Sequence, residues 1–289
     1  LRYMYPKPEM RIMGDADILI RTEQYEKIKP VMEEIGMIEG HESDHEYIWK
    51  NNNLFVELHK RLIPSYNKDY YAYYGDGWRL ATKSKESEYK YVLSAEDEMI
   101  YVFTHFAKHY RDAGVGIRHI IDVWIYRNSH PDLDEEYIIK ELKKLQLDVF
   151  YTNVIDTFKV WFEDAEPTPK TELITDVIFK SGAYGSKKAH LLSDAVKRSK
   201  SGNVKKARIQ KILTLIFTPY KPLSDLYPIL KKLPVLLPFA WVYHWFDVLI
   251  NRHSNIAKRN NERKMVTEEN IIDYQESLSF VGLDFNFKE

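Results

Sequence analysis

The sequence predicts an α+β protein, with a small mixed β-sheet in residues 1–93 packed against a mainly helical domain in residues 94–289. Three observations carry this prediction. Near the start, Asp15-Ala16-Asp17 opens the short, β-branched apolar run Ile18-Leu19-Ile20, the composition of a strand. Residues 45–50 and 54–62 then alternate apolar and polar side chains on either side of Asn51-Asn52-Asn53, the pattern of a β-hairpin. From Ser94 onward, apolar residues recur at three- and four-residue intervals, the period of helices packed on one face.

Taken in order, residues 22–37 place Tyr25, Ile28, Val31, Met32 and Ile35 on one helical stripe, with Gly36 to close it. In the second hairpin strand, alternation sets Phe55, Glu57 and His59 on one face and Leu54, Val56 and Leu58 on the other. The tyrosine-rich stretch 63–91 has no sustained period and reads as a long loop ending in a short strand at 89–93. Ser94, with Asp97 three residues on, is a helix start. The following helix buries Met99, Val102, Phe103, Phe106 and Tyr110, leaving His105, Lys108, His109 and Asp112 on another face. Further helices are expected at 117–126, with Arg118 and Asp122 at i,i+4, and at 134–145 and 150–162.

The sequence of residues 166–169 breaks the pattern with two prolines. The glycine-bearing loop at 181–187 has the wrong order for a P-loop, which needs Gly-Lys-Ser/Thr after a spaced glycine. Residues 197–211 hold seven basic side chains and no acid, which reads as a solvated helix face or a mobile loop, or else as an anion-binding patch. Residues 233–250 are the most apolar stretch, but Pro234, Pro238, His244 and Asp247 argue against a membrane span and for a buried helix from about Pro238.

Composition narrows the function. The chain has 289 residues, 44% of them hydrophobic, enough for a sizeable core. Its formal net charge of −1 gives no global field for nucleic acid. The absence of cysteine rules out disulfides and thiolate metal sites. No basic region followed by an apolar run opens the sequence, so a cytoplasmic location is expected.

Asp15 and Asp17 project from one face of a strand, roughly 7 Å apart at the backbone. Like charges this close are relieved by protonation or by a cation, and carboxylate oxygens select Mg²⁺ or Mn²⁺. A bare D-x-D by itself reads more simply as a strand end whose acids face solvent. Gly14 leaves room for a ligand to approach the backbone, or for a tight turn. With Glu57 on a strand that can lie alongside, the acids form the triad that metal-assisted phosphoryl and nucleotidyl transfer requires. His105 and His109 have the spacing of zinc ligands on a helix, but no Glu follows His105 as in a metalloprotease motif.

At these residues the sequence resembles the DNA polymerase beta-type nucleotidyltransferase superfamily, and within it a bacterial family of uncharacterised nucleotidyltransferases. Tyr5-Pro6, Pro8 and Arg11 followed by Gly14-Asp15-Ala16-Asp17-Ile18-Leu19-Ile20 look like the leading motif of that family, and Val56-Glu57-Leu58-His59 like its third-acid strand. Phe106-Ala107-Lys108-His109, with Arg118 and Asp122, is similar to its following helical segment.

The resemblance implies metal-dependent transfer of a nucleoside monophosphate from an NTP such as ATP to an unidentified acceptor hydroxyl. Asp15 and Asp17 would ligate Mg²⁺ or Mn²⁺, and Glu57 would complete the site as ligand or base. Arg11, Gly14, His59, Lys108 and Asp122 would neighbour the nucleotide, Lys108 as the triphosphate contact. The superfamily also carries a Gly-Ser or Gly-Gly turn ahead of the D-x-D, and no glycine precedes Gly14. That turn is expected in a segment preceding Leu1. Rival expectations are a catalytically inactive nucleotide- or protein-binding module of the same fold, and a peripheral membrane protein using the basic run and the 233–250 stretch on anionic lipid.

Overall fold

The computed structural model describes residues 1–11, 13–52, 54–182, 185–199, 213, 216–251 and 265–284. It is a mixed α+β structure that divides into two compact units. One comprises Leu1–Arg111, Val115–Tyr184 and Leu278–Glu289, and the other Asp112–Gly114 and Gly185–Ser277.

In the first unit, strands β1 (Ala16–Leu19), β2 (Ile38–Glu42), β3 (Glu46–Lys50) and β4 (Phe55–His59) form a sheet in the order β1-β4-β3-β2. β1 runs parallel to β4 and the other pairs are antiparallel. The crossover between β1 and the hairpin is helix α1 (Tyr25–Glu34), entered through a 3₁₀ turn at Thr22–Gln24. It ends at Gly36, where φ is 78°, with Gly36 N–H donating to Glu33 O and Met37 N–H to Met32 O. This left-handed glycine lets the backbone turn back and satisfy its last carbonyls.

α1 covers one face of the sheet. Tyr25 and Met32 pack with Ile20, Met37, Trp49, Val56 and Leu58, and Tyr25 stacks on Tyr47 with 3.5 Å between ring centroids. Each fully buried side chain of this kind contributes about 1.5–3 kcal/mol. Val31 and Ile35, expected on the same stripe, are instead exposed, because the four-stranded sheet covers only a narrow face of the helix. β2 was not foreseen. Its five residues, Ile38-Glu39-Gly40-His41-Glu42, are all exposed, so they carry no alternating apolar signal.

The stretch expected to be a long loop contains α2 (Lys68–Tyr74) and a two-stranded ribbon, β5 (Thr82–Lys83) with β6 (Tyr91–Val92). Tyr70 and Tyr74, one turn apart, are buried, and Tyr74 Oη meets Thr104 Oγ1 at 2.9 Å. Tertiary burial of amphipathic tyrosines thus makes a helix where a polarity pattern finds none.

α3 (Ala95–Ala113) starts where Ser94 Oγ accepts from Asp97 N–H at 3.0 Å, and α4 (Ile117–Ser129), α5 (Glu135–Lys144), α6 (Asp148–Phe162) and α7 (Pro169–Lys180) follow. Phe103, Phe106 and Tyr110 of α3 surround Phe150 of α6, with ring centroids 5.0–5.7 Å apart. The break at 166–169 is the start of α7, where Thr168 and Thr171 form a reciprocal cap and Pro169 occupies the first turn.

The second unit contains α8 (Lys187–Ser199), α9 (Tyr220–Leu226), α10 (Ile229–Lys232), α11 (Leu237–Asn251) and most of α12 (Glu268–Phe280). A Cβ at Gly185, whose φ is 87°, would lie 2.6 Å from Gly114 O, so the close approach there requires glycine. Lys197, which opens the basic run, pairs with Asp112 at 2.8 Å, and residues 200–211 of that run lie outside the described residues. α11 does begin beside Pro238, but Phe239, Tyr243 and Phe246 are exposed where a buried helix was expected. Among the described residues, no helix is long and apolar enough to cross a membrane.

Candidate active site

Because α1 takes the Val56–Leu58 face of the sheet, alternation turns Asp17, Glu57 and His59 to the other face. Asp17 is the register partner of Glu57 and Leu19 of His59 across the parallel pair. On the other side of β4, Glu46 of β3 is opposite His59 and Ile48 opposite Glu57. His59 Nε2 stands 3.4 Å from both Asp17 Oδ1 and Glu57 Oε2. Ligand atoms of Asp17, Glu57 and His59 all lie within 4.8 Å of one another.

The charges in this cluster are unevenly matched. Glu57 is pushed up to about 7, first by burial and then by the charges of Glu46, Asp17 and Asp15. Asp15, immediately ahead of β1, is also raised, by burial and by Asp17. Asp17 moves the other way, because the hydrogen bond from His59 outweighs its burial, with further help from the charges of His59, Lys108 and Arg11. Burial pulls His59 down, but the Asp17 hydrogen bond and the charges of Asp17, Glu46 and Glu57 leave it above its usual value. Repulsion is therefore concentrated on Glu57 and Asp15, while Asp17 is held ionised.

His45 and Glu46 belong to the same face, although the sequence reading did not single them out. His45 Nε2 is 2.9 Å from Glu46 Oε2, and the rings of His45 and His59 are 5.6 Å apart. The signal was available, since an antiparallel hairpin around the asparagine turn sets position 46 opposite 59.

Helices α3 and α4 supply the remaining predicted residues. Lys108 of α3 acts on Asp17 through its charge, and the half-buried Tyr101 of the same helix senses Asp17 in turn. Asp122 of α4 does not project into the acid cluster. Its Oδ1 accepts from Arg11 Nε at 2.8 Å and from Tyr5 Oη at 2.6 Å, and its Oδ2 accepts from Arg11 Nη2 at 3.0 Å. This fixes the chain just ahead of Gly14.

Arg11, Gly14 and Asp15, with Arg2, Glu9 and Phe55, line a cavity of about 350 Å³. A Cβ at Gly14 would meet nothing within 4 Å, and Gly14 is not among the glycines with positive φ, so neither crowding nor a left-handed turn requires glycine there.

The donor set suits a hard divalent cation. Two carboxylates and an imidazole within reach of one ion, beside a third acid and with two acids destabilised by mutual repulsion, are what an Mg²⁺ or Mn²⁺ ion would relieve.

No curated protein and no solved structure matches the chain. The model of one family, described as uncharacterised nucleotidyltransferase, matches residues 1–163, a span that includes the whole sheet, the acid cluster and the Arg11–Asp122 pair. The chain belongs to this family of nucleotidyltransferases.

Proposed function

We propose that the protein transfers a nucleoside monophosphate from an NTP to an acceptor hydroxyl, with Asp15, Asp17 and Glu57 holding Mg²⁺ or Mn²⁺. The observation that carries this reading is the parallel register of Asp17 with Glu57, which aims both carboxylates to the sheet face left open by α1. When bound, the ion supplies charge neutralisation at the phosphates and lowers the pKa of the attacking hydroxyl. Glu57 completes the site as a ligand of the ion or as the base that accepts the proton of that hydroxyl. His59 keeps Asp17 ionised and holds its carboxylate in place through the 3.4 Å contact.

The triphosphate lies along the cavity lined by Arg2, Arg11 and Gly14, which is of the size of small-molecule sites. Lys108 contributes positive charge from the α3 side. Asp122 serves by positioning Arg11 and not by touching nucleotide. The test is release of labelled pyrophosphate from each of the four NTPs with Mg²⁺ by the parent, Asp17→Asn and Glu57→Gln. Turnover by the parent and its loss in both variants is the expected result. A parent that binds nucleotide without turnover, equally in all three proteins, would replace transfer by a silent binding module.

A second reading concerns the membrane surface. Val235, Phe239, Tyr243 and Phe246 in and ahead of α11 are exposed, and aromatic side chains favour the lipid interface. We propose weak association of this stretch with anionic membranes. Sedimentation with phosphatidylserine vesicles checks it, and equal partitioning of parent and Phe239→Ser/Phe246→Ser would remove it.

A further inference from the structure

Three histidines meet apart from the sheet carboxylates. His105 and His109 lie one turn apart on α3, and His119 lies in the first turn of α4. Their ring centroids are 4.4, 5.4 and 6.1 Å apart, His105 Nε2 is 3.2 Å from His109 Nε2, and one nitrogen from each ring lies within 4.8 Å of the other two. We propose that His105, His109 and His119 form a binding site for a divalent transition-metal ion of the zinc class.

The distances favour coordination. Tetrahedral Zn²⁺ with Zn–N bonds of about 2.0–2.1 Å sets its ligand nitrogens roughly 3.3–3.4 Å apart, close to the His105–His109 separation. A ring-to-ring hydrogen bond explains that one pair but leaves out the third histidine. His119 Nδ1 is buried and has no hydrogen-bond partner among the described residues, so this ring keeps a nitrogen that no protein group engages. The contact of Arg118 Nη2 with His119 Nε2, at 3.5 Å, is too long to fix which nitrogen carries the proton.

The chemistry separates this site from the acid cluster. Three imidazoles without thiolate or carboxylate select zinc, copper or nickel over magnesium. Burial keeps an imidazole neutral, the form that ligates a metal. Three protein ligands leave the fourth position to water or to another group, an open site and not a closed structural one. Lys108 and Arg118 act on these rings as like charges and Asp122 as an opposite one. Net cationic surroundings make the affinity weaker than that of a closed structural zinc site. In the bound state the ion joins α3 to α4, independently of whether the carboxylate face transfers nucleotides.

Titration of the whole protein with Zn²⁺ against a chromophoric chelator, and with Co²⁺ by visible absorption, tests the site. With excess Mg²⁺ present to compete at the carboxylates, we expect one equivalent of Zn²⁺ per chain that Mg²⁺ does not displace, intense visible bands of four-coordinate Co²⁺, and at least tenfold weaker uptake in His109→Gln and in His119→Gln. His59→Gln should bind as the parent does. The Co²⁺ spectrum of the parent stands even if a variant fails to fold. Absence of stoichiometric uptake, a weak six-coordinate Co²⁺ spectrum, or uptake lost in His59→Gln and kept in His109→Gln would each overturn the proposal. The last result would place the ion at the sheet carboxylates.

Discussion

Arg11 and Asp122, 111 residues apart in sequence, face each other as a bidentate pair, Nε to Oδ1 at 2.8 Å and Nη2 to Oδ2 at 3.0 Å. Both side chains are largely buried, at 17% and 6% exposure, and Tyr5 donates a third hydrogen bond to the same carboxylate. Planar, two-point contacts of this kind fix orientation as well as distance. The pair ties the segment leading into Asp15 to helix α4.

Removing one partner should therefore cost more than a surface ion pair. Asp122→Ala leaves the Arg11 guanidinium without its partner, and we expect about 3 kcal/mol of destabilisation. Tyr5→Phe should cost about 1 kcal/mol, and the two changes should be less than additive because both act on one carboxylate. Urea unfolding of the two single variants and the double variant measures this, and a cost for Asp122→Ala below about 1 kcal/mol would reduce the pair to a surface contact.

The raised pKa of Glu57 makes stability depend on pH. As pH rises from its ordinary 4.5 toward about 7, the unfolded chain loses the proton first and the folded state keeps it. Without divalent metal, stability contributed by the protonated carboxyl is thus complete below pH 4.5 and lost as pH rises through about 7. In EDTA, Glu57→Gln should flatten this part of the profile and melt above the parent at pH 8. Parallel profiles of the two proteins between pH 5 and 8 would show that Glu57 is not the group responsible.

Asp17→Asn separates structure from metal chemistry. Relief of repulsion between Asp15 and Asp17 is the simplest expectation from sequence, yet Asp17 is held ionised by His59, and its loss forfeits that contact. Since Asp17 is 52% exposed, the metal-free cost should be only about 0–1 kcal/mol. Mg²⁺ with nucleotide should stabilise the parent by about 2.7 kcal/mol at a hundredfold excess over Kd and the variant far less. Thermal melts with and without Mg²⁺ and each NTP provide the comparison. An equal nucleotide response would remove Asp17 from the metal site.

Gly14→Ala probes the approach of ligand to the backbone. With open space around the position and no positive φ, alanine should leave stability unchanged or raise it by about 0.4–1 kcal/mol. If the triphosphate lies against Gly14, nucleotide affinity should fall by about tenfold, or 1.4 kcal/mol. Calorimetric titration with a non-hydrolysable NTP reads both enthalpy and affinity. Unaltered affinity would move the triphosphate away from Gly14.

Local pattern alone determined β1, the hairpin of β3 and β4, and the helices from α3 to α6, because strand alternation and helical period are written in consecutive side chains. It also set Glu57 and His59 on one face of β4, since a strand leaves no other choice once Val56 and Leu58 are buried. β2 and α2 were not legible. The first is an exposed edge without an apolar face, and the second owes its helix to tyrosines buried by distant neighbours. Only tertiary structure decided that Arg11 takes Asp122 as its partner and that His119 joins His105 and His109. Each of these relations links separate elements, and such a contact depends on how the elements pack, which the period of neither one contains.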